Sequence, residues 1–151
     1  MNALMIAAHT LAAAVWVGGM FFAYVVLRPA AVALDPPLRL PLWAGVFKRF
    51  FPWVWLIVLV LLLTGYGMIF GIFKGFANAH AGIHIMHLLG LVMMGIFVYL
   101  FHKPYKSFKQ SVADERWPDA ATALNKIRQF ILANLVLGFV VIAVAVSGRY
   151  W

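Results

Sequence analysis

Four long apolar runs dominate this 151-residue chain, at about residues 3–27, 51–73, 81–101 and 127–147. Each is close to the ~20 residues that carry a helix across the hydrocarbon core of a bilayer. A water-soluble globule has nowhere to bury so much apolar surface. Here 66% of residues are hydrophobic and 11% charged, against about half and a quarter in soluble domains. No ten-residue alternating pattern occurs, which excludes a β-barrel. The expected fold is therefore all-α: an antiparallel up-down bundle of four transmembrane helices, one integral membrane domain over residues 1–151. The first run lacks the basic cluster of a signal peptide and is too long for its apolar region, so it is read as a retained span.

Orientation follows from the twelve Lys and Arg residues. Arg28, Arg39, Lys48 and Arg49 lie between runs one and two. Lys103, Lys106, Lys109, Arg116, Lys126 and Arg128 lie between runs three and four. Only Lys74 and Arg149 fall on the other side. This bias places the two basic connections in the cytoplasm and both termini in the periplasm of an inner, cytoplasmic membrane. The net charge of +8 is explained by topology and lipid headgroups, so no nucleic-acid partner is expected. Aromatic residues such as Trp43, Trp53, Tyr105 and Trp117 gather at the run ends as an interfacial belt.

The connections are ordinary. Asp35-Pro36-Pro37 breaks the first helix, and Leu38–Phe50 reads as a short amphipathic stretch on the membrane surface. Ser107–Asn125 extends the last two helices into the cytoplasm. All four acids, Asp35, Asp114, Glu115 and Asp119, sit in these connections, so no carboxylate is available at membrane depth to drive a proton or cation transporter.

Histidine is what remains inside the membrane. His9 lies in the first run, while His80, His84 and His87 lead into the third on one helical face. At 1.5 Å per residue, His9 and His87 lie ~9 Å and His84 ~5 Å below the outer helix ends. Three imidazoles on two helices thus share one depth in the outer half. With no cysteine in the chain, thiolate sites are excluded. A histidine-only site leaves haem b with two axial imidazoles, or copper with methionine support. Helix-to-helix hydrogen bonding is the plainer alternative for each histidine.

The neighbours favour haem. Trp16 and Met20 share the His9 face, with Ala12 and Ala13 between His9 and Trp16 leaving a slot for a flat ring. Thr64 and Tyr66 reach the same depth on the second span and can bond a ligand histidine or the cofactor. Lys74 and Arg149, the only outer cations, can pair with propionates. Ala14/Gly18, Gly19/Ala23, Gly90 and Gly95 read as helix-packing positions, and Asn134 as an interhelical hydrogen bond. The methionines (Met1, Met5, Met20, Met68, Met86, Met93, Met94) are scattered without MxM or MxxM clusters and read as packing. His102 has no second membrane histidine at its depth. No nucleotide-binding or hydrolase motif occurs.

The segment His9-Thr-Leu-Ala-Ala-Ala-Val-Trp16-Val-Gly18-Gly19-Met-Phe-Phe resembles the first helix of the CopD-type membrane proteins, whose domain is named for copper resistance. Arg39–Trp55, Trp117-Pro-Asp-Ala with Leu-Asn-Lys-Ile-Arg, and the ending Ser-Gly-Arg149-Tyr-Trp are similar to the small single-domain members of that group. This resemblance implies His and Met copper ligands near the outer face, which His9, His84 and His87 can supply. The layout is also similar to the HemJ-type protoporphyrinogen oxidases, four-helix haem b proteins, and that implies His9 and His84 as ligands. The lysine two residues after the helix-three histidine of that family is Met86 here, which puts the oxidase activity in doubt.

The sequence reading is thus a membrane b-type haem protein for electron transfer or redox sensing. The metal ligands are His9 with His84 or His87, and Trp16, Met20, Thr64, Tyr66, Lys74 and Arg149 line the cofactor. A copper-binding or copper-transporting membrane protein is the alternative, and a porphyrinogen or quinol oxidase the third. Expected partners are lipid and a redox protein or quinone; a homo-oligomer is compatible with the sequence.

Overall fold

Prolines mark the starts of several helices and one bend in the computed structural model, which describes residues 2–148. Helix α1 (Asn2–Phe21) passes into a π-helical turn, Phe22–Leu27, and then the short α2 (Arg28–Ala31). Pro29 is the cause. It offers no N–H to the preceding turn and its ring crowds the carbonyl four residues back, so the helix widens and the Arg28 N–H bonds Ala23 instead. Helix α3 (Pro36–Gly71) opens on Pro36, whose missing N–H costs nothing at a first turn.

Helix α4 (Ala81–His102) is separated from α5 (Pro104–Ala113) by the break at Lys103-Pro104, and α6 spans Trp117–Ser147. Four helical segments, Asn2–Ala31, Pro36–Gly71, Ala81–Ala113 and Trp117–Ser147, are long and apolar enough to cross a membrane. This is the expected four-span, all-α class, with no strand among the described residues. Helix α1 packs on α3 and α6, and α4 packs on α6, while the α3–α4 seam is thin.

The helix that carries the second apolar run starts before it, at Pro36. Leu38–Phe50 is not a separate surface stretch but the first turns of α3, which continues through Pro41 and Pro52. Its apolar face is real: Leu40, Trp43, Phe47, Phe51 and Val54 recur every three or four residues and are at most 3% exposed. That face packs against α5 and α6 rather than on lipid. Phe47 stacks on Phe51 and meets Tyr105 and Phe108 edge-on. Burial there offsets the hydrogen bonds that the prolines remove.

The packing is uneven along the bundle. The largest side chains with almost no exposure are Trp43, Phe47, Phe108, Leu40, Leu124, Ile127, Val54 and Ser111; apart from Val54, midway along α3, they lie toward the end that carries the basic connections. At 1.5 Å per residue the 36-residue α3 and the 31-residue α6 run about 54 and 46 Å. Both exceed the ~30 Å hydrocarbon core. Where their ends emerge, water drives tight packing; between helices in lipid that force is absent. The opposite end, which carries the histidines, is therefore the looser one.

Glycines take part selectively. A Cβ on Gly19 would meet the Phe50 ring and one on Gly138 the Val17 methyl, so both are required where helices touch. A Cβ on Gly18, Gly90 or Gly95 would meet nothing within 4 Å, so within the described residues no close helix approach depends on them. Asn134 does bridge two spans as expected, donating from Nδ2 to the Met93 carbonyl at 3.1 Å.

Candidate metal site at the histidine end

The last two turns of α3 present two different faces, and the histidines divide between them. Toward α1, Thr64, Gly65 and Gly67 form a shallow strip. His9 Nδ1 stands 2.8 Å from Thr64 Oγ1, and the His9 ring lies over Gly65, where a Cβ would be 3.4 Å from Cε1. Met5, one turn along on the same face of α1, lies over Gly67, its Sδ 3.0 Å from where a Cβ would stand. Imidazole and thioether, one turn apart on α1, thus each face a glycine of α3.

The hydrogen bonding of Thr64 fixes the tautomer of His9. A hydroxyl has one proton to give, and the Thr64 hydroxyl is 2.6 Å from the Val60 carbonyl, which can only accept. Toward His9 the Thr64 oxygen must therefore act as acceptor, and Nδ1 carries the hydrogen. In the neutral ring this leaves the lone pair on Nε2. That is the arrangement of a metal-ligating histidine whose second nitrogen is oriented by a hydrogen-bond acceptor.

The other face of α3 carries Tyr66 toward α4. Its ring is 5.3 Å from that of His87, edge-on. The loop after α3 turns at Lys74, in the left-handed region at φ 59°, and at Gly75, and lays Phe76 over the same place. Phe76 is 5.2 Å from His87 and stacks at 6.1 Å on His84. His84 is exposed and His87 half-buried. His80 caps the start of α4 beside Gly82 and Phe73.

The expected site residues thus separate. Thr64 joins His9, and Tyr66 joins His87. Among the described residues no three His, Cys, Asp or Glu side chains come together as a metal-ligand group, so His9, His84 and His87 do not form a single three-histidine set. Trp16 and Met20, expected to wall a haem slot, are 3% exposed and belong to the packed core. Trp16 spends its ring on Phe97, 6.4 Å away and edge-on. Lys74 is exposed in the loop and its carbonyl accepts from Asn78. Arg149 lies outside the described residues. Phe76 and the Met5–Gly67 contact were not singled out in the sequence; an aromatic in a short loop between two histidine-bearing ends was the available signal.

A family model described as Copper resistance protein D (CopD) matches residues 44–147. The matched region contains Thr64, Tyr66, His84 and His87 and begins after His9. Nothing matches the chain among curated proteins or among solved structures.

Proposed function

The chain belongs to the copper resistance protein D family, and from that membership we propose that it handles copper in the membrane, taking Cu(I) at the histidine end through His9 Nε2 and Met5 Sδ. The observation that carries the reading is the His9–Thr64 hydrogen bond, which leaves Nε2 as the free donor of the ring. A thioether one turn away completes an N/S pair, the donor set that a soft monovalent copper ion prefers over magnesium, calcium or manganese. His84 and His87, more accessible and gathered beneath Phe76, are the groups an arriving ion meets first. In this reading the ten cations of the two basic connections keep that end in the cytoplasm, the histidine end faces the periplasm, and the protein spans the inner membrane.

A second reading rests on the same atom. A free Nε2 is also what an axial haem ligand offers, and a b-type haem between His9 and His84 would suit electron transfer or redox sensing. Against it stand Trp16 and Met20, packed into the core instead of lining a slot. The decisive experiment is one preparation: protein purified in detergent, its copper measured and its reduced-minus-oxidised spectrum recorded. Stoichiometric copper without a Soret band supports the proposal. A Soret band with sharp α and β bands and no copper transfers the site to haem.

A further inference from the structure

At the opposite end of the bundle, a cleft of about 380 Å³ lies between the α4–α5 break at Lys103-Pro104, α5 and the first turns of α6. That volume lies within the ~300–1,000 Å³ of small-molecule sites. Lys103 and Lys126 line it from opposite walls, with the hydroxyl residues Ser107, Ser111 and Thr122 between them. Arg116 also borders the cleft, but its guanidinium is taken up by Asp114 and Asp119. Among the described residues neither lysine has such a partner. Asp119 lines the cleft too, its carboxylate neutralised by Arg116; two uncompensated cations beside neutral hydroxyls then select an anion with several acceptor oxygens, which is the chemistry of a phosphate group.

One wall of this cleft is not aqueous. Tyr99, one turn before Lys103, lines it while remaining 51% exposed on the outer surface of α4, its ring packed 5.3 Å from Phe130 of α6. The same helical stripe continues along the span through Gly95, Val92 and Leu88. Leu88 and Val92 are exposed, and so is Gly95, where an added Cβ would meet nothing within 4 Å. The stripe is an open apolar track that begins where the cations end. A free phosphate has no use for it, whereas an acyl chain does.

We propose that this cleft is a binding site for one anionic phospholipid, its phosphate held between Lys103 and Lys126 and one acyl chain lying along Leu88, Val92, Gly95 and Tyr99. Basic pockets between transmembrane helices hold lipid headgroups in this way. The site is independent of the copper chemistry at the other end.

The test is native mass spectrometry of the full chain titrated with phosphatidylglycerol or phosphatidylcholine, beside the variants K103Q/K126Q and K48Q/K106Q. The second pair removes equal charge from the same end outside the cleft. One phosphatidylglycerol per chain is expected to bind more tightly than phosphatidylcholine. At about fivefold per lysine, K103Q/K126Q loses about 25-fold in affinity, and K48Q/K106Q keeps the wild-type value. Equal affinities in the two variants would overturn the proposal, a shared loss meaning attraction by diffuse charge only and a shared retention meaning that Lys103 and Lys126 do not hold the phosphate. Displacement of the lipid by millimolar inorganic phosphate would likewise overturn it, making the cleft a site for a soluble anion.

Discussion

His9 Nδ1 and Thr64 Oγ1 meet at 2.8 Å across the interface of the first two spans, and the Thr64 proton is already committed to Val60. The pair therefore works in one direction, imidazole donating and hydroxyl accepting. Removing the acceptor frees the ring to rotate and to change tautomer. Thr64→Val is expected to weaken copper binding by about 10- to 100-fold, the usual effect of deleting such an orienting partner. Thr64→Ser is expected to retain most of the affinity. A Cu(I) competition titration against a chromophoric chelator measures both; equal affinities in the two variants would remove Thr64 from the site.

The glycines of the bundle should divide sharply. Gly138→Ala puts a methyl within 2.7 Å of Val17 Cγ2 on the facing helix, an overpacking of about 1–3 kcal/mol. Gly90→Ala and Gly95→Ala meet nothing within 4 Å and gain up to ~1 kcal/mol of helix propensity. Thermal unfolding in detergent should therefore lower the midpoint for the first variant and leave or raise it for the other two.

Asn134 is 3% exposed and donates to the Met93 carbonyl, while its own Oδ1 has no partner. Interhelical hydrogen bonds in membranes average ~0.6 kcal/mol and reach ~1.7. Asn134→Leu removes the bond together with the unpaired oxygen, so the net loss is expected at or below the lower figure. A denaturation series that gives more than ~2 kcal/mol would assign this asparagine a larger role.

How much of this was readable beforehand depended on the kind of signal. The four spans were legible because twenty apolar residues have few other uses. Asn134 was legible because a lone amide in an apolar helix needs a partner. The start of the helix that carries the second span was not, since Pro41 and Pro52 read locally as breaks, and packing of Trp43, Phe47 and Phe51 on α5 and α6 carries the helix through them. His9 and Thr64 could be matched by depth. The split of His84 and His87 from His9 could not, because it depends on which side of α3 faces α1 and which faces α4. Trp16 sits on the His9 face as expected, yet Phe97 claims its ring. Met5 gave no signal, because a single methionine in an apolar helix is indistinguishable from packing until Gly67 is seen opposite it.

The orientation of the bundle rests on its cations. Reporters fused to the two termini should both show the periplasm if the ten Lys and Arg residues of the two connections set the topology by the positive-inside rule. Compensating the bias by introducing lysines beside Lys74 should produce mixed topology. A C-terminal fusion confined to the cytoplasm would contradict the orientation.

The assignment of copper to His9 is tested most directly by Cu(I) stoichiometry in detergent for the wild type, His9→Ala and Met5→Leu. One ion held tightly per chain is expected for the wild type. His9→Ala should lose it, and Met5→Leu should bind it at least tenfold more weakly while unfolding at an unchanged temperature. Retention of the full copper complement at wild-type affinity in His9→Ala would contradict the proposal.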